Sequence, residues 1–174
     1  MTTSSKERRE VVLVTGANGL IGQAICVHVA AEDGYEVVLL CRDRQKAERA
    51  QVEVVDKTGN EHVRRVLADV SRRESVYRLV DDWEGPLDVL VNNAAATPRR
   101  RRETDDGLEL QFATNVMGYF WMIRAFEDVL AESAPSRIVN VASYWAGGLE
   151  LDDLQFERRR YDNDAAYRQS KQAD

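Results

Sequence analysis

The chain has little cysteine, no long apolar run and no basic excess, and each shortage closes off a class of function. Its 174 residues include two cysteines. Cys26 and Cys41 fall in apolar segments at a spacing that suits neither a metal site nor a disulfide framework, so buried free thiols, no metal and a reducing compartment are expected. No apolar stretch approaches the roughly 18 residues of a membrane span, and the opening MTTSSKERRE is polar rather than signal-like. The cytoplasm is the expected location. A net charge of −6 argues against a nucleic-acid binder. Two local basic clusters, PRRRRE at 98–103 and ERRR at 157–160, lie beside acidic neighbours. They read as solvated connectors, with an anionic-partner site as the alternative.

What the chain does have is a 44% hydrophobic content, ordinary for one globular domain, arranged as short β-branched runs alternating with longer amphipathic segments. A polar tail at 1–10 precedes a single domain at 11–174. Strands are predicted at VVLVT (11–15), EVVLLCR (36–42), within HVRRVLADV, at PLDVLVNNA and at SRIVNVAS. Helices are predicted at 20–33, ending at Gly34, at about Asp43–Lys57, over SRRESVYRLVDDW with Ser71 as N-cap, over about Asp105–Ser133, and over NDAAYRQSKQAD. Continuous apolar strands separated by helices imply a parallel sheet covered on both faces. The fold class is therefore α/β, a doubly wound, Rossmann-type sheet in three α/β/α layers.

LVTGANGLIG (13–22) joins the first strand to the first helix. In such a domain this turn aims backbone N–H groups and the positive end of a helix dipole at one spot, which suits a pyrophosphate. Gly16 would permit the tight turn, Gly19 the close approach of phosphate, and Gly22 the packing of helix on strand; Asn18, Leu20 and Ile21 complete the cradle. The second strand ends at Cys41 and is followed by Arg42 and Asp43. Arg42 suits a 2′-phosphate and Asp43 a free 2′-hydroxyl; the balance favours NADP(H) over NAD(H).

YRQSK (167–171) puts Tyr167 and Lys171 four residues apart, on one face of the last helix. An ammonium beside a phenol favours the phenolate, which would make Tyr167 a usable base near neutrality.

Taken together, TGANGLIG, LADV, NNAA, LQFATNVMGYF, RIVNVAS and YRQSK, in this order and spacing, resemble the short-chain dehydrogenase/reductase family, from about residue 11 to 172. The resemblance implies an NAD(P)(H)-dependent oxidoreductase that moves hydride between nicotinamide and a carbonyl or secondary alcohol. It implies Tyr167 as general acid/base and Lys171 as the group that tunes it and holds the nicotinamide ribose. It also implies Ser143 as hydrogen-bond donor to the reacting oxygen and Asn115 as support for a proton-carrying water. Asp69, with Val70, resembles the carboxylate segment at adenine, and Asn92, Asn93 and Ala94 the strand end along the cofactor. Homodimers or homotetramers through the long and last helices are expected on the same ground.

The glycines follow TGxxGxxG, with Leu20 where the single-domain branch usually has glycine. That spacing is similar to a sugar-nucleotide-modifying branch and leaves an epimerase or dehydratase fragment open. NNAA, DDGLELQFATNVMGYF and the long interval from Ser143 to Tyr167 instead resemble retinol-dehydrogenase-like members, implying a lipophilic carbonyl or alcohol substrate. Family members continue well beyond the position of Asp174, so a domain incomplete at its C-terminus is expected, with the fifth strand as an apolar sheet edge. A nucleotide-binding module without turnover is the competing reading.

Overall fold

A computed structural model of the protein describes residues 8–174. The polar tail predicted at 1–10 lies mostly outside the described residues, and the first strand already includes Glu10. Among the described residues, β1 (Glu10–Thr15), β2 (Tyr35–Cys41), β3 (Val63–Leu67), β4 (Val89–Asn92) and β5 (Arg137–Asn140) form one parallel sheet in the order β3-β2-β1-β4-β5. The doubly wound α/β expectation is met.

Alternation along the central strands divides the core into two layers. Leu13, Val38, Leu40 and Leu90 face α3 (Arg73–Asp81) and α4 (Gly118–Ala125), packing against Val76, Trp121, Met122 and Phe126. Val12, Val14, Val37, Leu39 and Cys41 face α1 (Leu20–Ala30) and α2 (Arg44–Thr58), packing against Cys26, Ala30, Ala47 and Val54. Both faces of β1 and β2 are thus buried, which explains why their sequences read as unbroken apolar runs. Cys26 and Cys41 are free and buried as expected; burial pushes the Cys26 thiol up to about 12, which leaves it chemically inert.

Several predicted boundaries move, each for a local reason. Ser71 does not cap α3. Its N–H and hydroxyl both donate to Asp69 Oδ1, at 3.0 and 2.6 Å, so the nearer carboxylate takes its hydrogen bonds and Arg72 becomes the residue before the helix. The helix predicted from Asp105 begins only at Leu110. Thr104 to Gly107 form a turn, Glu103 bridges Glu109, and the Glu109 carboxylate accepts the N–H groups of Gln111 and Phe112 at 2.9 and 2.8 Å. A π-helical segment, Phe112–Met117, then leads into α4, and a break at buried Phe126 separates α5 (Glu127–Glu132). α1 stops at Ala30, short of the predicted 33.

The basic clusters are only partly solvated connectors. Arg101 Nε donates to the Gln155 carbonyl at 3.0 Å, the Tyr161 hydroxyl donates to the Pro98 carbonyl at 3.2 Å, and Arg159 Nε binds Asp153 Oδ2 at 3.1 Å. These contacts tie the first cluster to Gln155 and Tyr161, which flank the second, and the second to a short 3₁₀ turn at Leu151–Asp153, while Arg99, Arg100, Arg102, Arg158 and Arg160 stay exposed. The last helix, α6 (Asn163–Gln172), is capped by Asp162, which accepts the Ala165 N–H at 2.8 Å. No described helix is long and apolar enough to cross a membrane.

Candidate active site

The carboxyl ends of β1, β2, β3 and β4 open onto a cleft of ≈ 740 Å³. Its wall includes Gly16, Asn18, Gly19, Leu20, Ile21 and Gly22 from the first turn. Arg42 comes from the end of β2, Asp69 and Val70 from the end of β3, and Asn93 and Ala94 from the end of β4. The cofactor set read from the sequence is therefore brought together on one concave surface, apart from Tyr167 and Lys171. Asn92 is the exception at β4: it is fully buried and donates from Nδ2 to Asn140 Oδ1 at 3.0 Å, below the cleft.

Close packing holds the first turn in place. Gly16 has φ +64°, and a Cβ there would lie 2.8 Å from Ala94 Cα. Gly22 packs on the turn itself rather than on a strand, since its nearest neighbours would be the Gly16 carbonyl and the Asn93 amide. Thr15, which the motif reading passed over although it directly precedes Gly16, accepts the N–H groups of Asn93 and Ala94 on one hydroxyl at 2.8 and 2.9 Å. Asn93 Nδ2 returns a hydrogen bond to the Thr15 carbonyl at 2.8 Å. β4 is thereby fastened to the glycine turn.

Gly19 stands at the N-cap of α1 with no side-chain cap, and the N–H groups of Leu20, Ile21 and Gly22 have no acceptor among the described residues. Three unpaired donors with the helix dipole behind them form an anion cradle. Leu20, the departure in the glycine pattern, is 92% exposed and so obstructs nothing inside the turn.

At the far end of the cleft Arg42 is largely exposed and lies 3.6 Å from Asp69 Oδ2. Asp43 is engaged elsewhere: its Oδ1 accepts the Lys46 N–H at 2.9 Å and caps α2. Arg72, from the loop before α3, pairs with Asp105 of the turn before α4 at 3.0 Å, joining two walls of the cleft.

The four residues expected to do chemistry are less tightly assembled. Asn115 lies in the π-helical segment, fully buried; its Oδ1 accepts the Ala96 N–H at 2.8 Å and its Nδ2 donates to Ser170 Oγ at 2.9 Å. It fastens the loop after β4 to α6. Ser143 accepts the Trp145 N–H at 3.2 Å, forming a turn. Tyr167 is half-buried, and its hydroxyl has no hydrogen-bond partner among the described residues. Lys171 is 5% exposed, and Nζ donates to Tyr119 Oη at 3.1 Å, to the Val141 carbonyl at 2.9 Å and to Asp174 Oδ2 at 2.6 Å. The ammonium is thus aimed at Tyr119 and Asp174, not at Tyr167.

Burial raises the Tyr119 hydroxyl well above the ordinary tyrosine range, with the Asp174 and Tyr167 charges adding to the shift. Tyr119, Ser170 and Asp174 were not singled out from the sequence. Ser170 adjoins Lys171, Asp174 follows it at i+3 and Tyr119 follows Asn115 by one helical turn, so a weak positional signal exists for all three.

A parallel sheet in this order, with an uncapped helix start and a glycine turn at its carboxyl rim, defines a dinucleotide-binding α/β architecture. The short chain dehydrogenase family pattern matches residues 10–150, and the chain belongs to that family. It is 39% identical over 169 residues to retinol dehydrogenase 13 of Mus musculus, covering 94% of this chain and 50% of that protein. It is 37% identical over 166 residues to dehydrogenase/reductase SDR family member 12 of Bos taurus, covering 91% and 51%. The chain spans about half the length of the curated relatives it matches.

Among solved structures, an uncharacterized protein from Mycobacterium paratuberculosis superposes with a TM-score of 0.79 at 31% identity, over 94% of this chain and 58% of that one. A metagenomic short-chain oxidoreductase in complex with NADP superposes at 0.72 with 25% identity, over 94% and 71%. Proteins of this family bind nicotinamide cofactors, and the free N–H groups at the start of α1 beside the cleft fit the pyrophosphate of such a group.

Proposed function

We propose that the chain binds NADP(H) in the cleft at the sheet rim and serves a short-chain dehydrogenase reaction on a lipophilic carbonyl or secondary alcohol. The observation that carries this reading is the uncapped start of α1, with three unpaired N–H donors in the same cleft as Arg42, Asp69 and Ala94. NADP(H) is favoured over NAD(H) because the Arg42 guanidinium, largely exposed and only loosely paired with Asp69 at 3.6 Å, is within the cleft to meet a 2′-phosphate while Asp43 is committed to capping α2. The bound nicotinamide would supply or accept the hydride.

The chain's own residues would handle the proton. Tyr167 would give one to the carbonyl oxygen in reduction and take it back in oxidation, with Ser143 donating a hydrogen bond to the same oxygen. Lys171 would bind the nicotinamide ribose, and the long and last helices would provide the surface for a homodimer or homotetramer. Relatives named retinol dehydrogenase support a lipophilic substrate. A second reading, nucleotide binding without turnover, is favoured by the full engagement of Lys171 away from Tyr167.

The test combines NADPH and NADH affinities with NADPH consumption over a panel of aldehydes and ketones. The expected result is NADPH binding that Arg42→Ala weakens more than NADH binding, and turnover that Tyr167→Phe lowers by about 10²-fold or more. Binding without turnover would select the second reading. No affinity for either nucleotide would overturn both.

A further inference from the structure

Lys171 has three N–H donors, as any ammonium does, and all three are engaged inside the protein. Tyr119 of α4 takes one, the Val141 carbonyl just past β5 takes another, and Asp174 at the end of α6 takes the third. The Lys171 and Asp174 side chains are only 3% and 2% exposed. Asp174 Oδ1 is buried with no partner among the described residues, so its carboxylate depends on this one lysine. The Tyr119 ring adds a face 4.6 Å from the ammonium.

We propose that Asp174 is a positioning residue that latches Lys171, and that the lysine reaches a nicotinamide ribose only when this ion pair opens. The inference rests on the nicotinamide-cofactor reading above. No donor is left for a ribose hydroxyl while the latch is closed, so at least one internal bond must be exchanged. The Tyr119 and Val141 acceptors are neutral. The Asp174 bond joins two opposite charges and is the shortest of the three, and it decides the cost of release.

Opening the pair strands a buried carboxylate, which is unfavourable unless that carboxylate is protonated. Burial already raises the Asp174 carboxyl above the ordinary carboxylate range, against the pull of Lys171. The titratable side chains bonded to the ammonium are Tyr119 from α4 and Asp174 just past the end of α6, and of these Asp174 is the carboxyl, the group that answers to falling pH.

The test compares the affinities of NADPH and of adenosine 2′,5′-bisphosphate, which shares the adenine end and lacks the nicotinamide half. In the wild-type chain the latch holds the ratio of NADPH to bisphosphate affinity down, and the ratio rises as pH falls. Asp174→Asn should raise it by roughly tenfold, the worth of one charge-assisted hydrogen bond, and flatten its pH dependence. A ratio that is unchanged or lower in Asp174→Asn, with both ligands still bound, overturns the latch and leaves the cofactor reading standing. Wild-type protein that binds neither ligand overturns the cofactor reading itself and the latch with it. Should Asp174→Asn fail to fold, Tyr119→Phe frees one donor without breaking the ion pair. The ion pair stays closed there, so the latch requires the ratio and its pH dependence to stay unmoved, and a ratio that rises in Tyr119→Phe is equally decisive against the latch.

Discussion

A Cβ on Gly22 would lie 2.4 Å from the Gly16 carbonyl oxygen and 2.7 Å from Asn93 Nδ2, neither of which can yield without opening the turn. Gly22→Ala is therefore expected to cost about 1–3 kcal/mol of stability in urea denaturation and to weaken NADPH binding. A variant as stable as the parent would show that the turn relaxes freely. Asp88 carries a different load. Its carboxylate, 4% exposed, accepts Arg8 Nη1 and Nη2 and the Val11 N–H, each at 2.7 Å, and so anchors the start of β1. The Arg8 hydrogen bond holds its carboxyl below the usual carboxylate range. That stability is present above an unfolded value of about 3.9 and is lost as pH falls through the lower folded value. Acid titration of thermal stability should show this loss in the parent chain and less of it in Asp88→Asn.

Elements are held to one another by polar bonds that are buried or partly buried. Asn115 joins the loop after β4 to α6 through Ala96 and Ser170. Asn115→Ala leaves the half-buried Ala96 N–H and the buried Ser170 hydroxyl without their Asn115 partner, at a cost of roughly 1–3 kcal/mol. Urea denaturation of this variant, with NADPH affinity measured alongside, should show both fall; stability within about 0.5 kcal/mol of the parent would place the clamp elsewhere. The existence and type of the elements were legible because periodicity records burial. Their ends were less so: Ser71 looks like a helix cap in the sequence, and only the proximity of Asp69 redirects it. Likewise TDDG reads as the start of a helix until the Glu103–Glu109 bridge closes it into a turn.

At the scale of the molecule, the sheet ends on one side at β5, whose residues are all exposed, with Ile138 at 45% and Val139 at 44%. An open apolar edge invites pairing with another strand. Val139→Lys should keep the chain monodisperse at concentrations where the parent scatters light, with little change in melting temperature; equal scattering would mean that association uses another surface. IVNV was legible as a strand, and the sheet order among the described residues puts it beside β4 at the edge. The cleft itself was foreseeable too, since a glycine turn after the first strand of a parallel sheet must open at its carboxyl rim. By itself the sequence determined the layered sheet, the glycine cradle and the family, because periodicity, turn chemistry and motif order are local properties written along the chain. Only the tertiary structure decided that Asn115 bonds Ala96 and Ser170 and that Lys171 points to Tyr119 and the Val141 carbonyl. A polar side chain takes whichever partner packing brings within reach, and those partners come from elements that spacing along the chain does not relate.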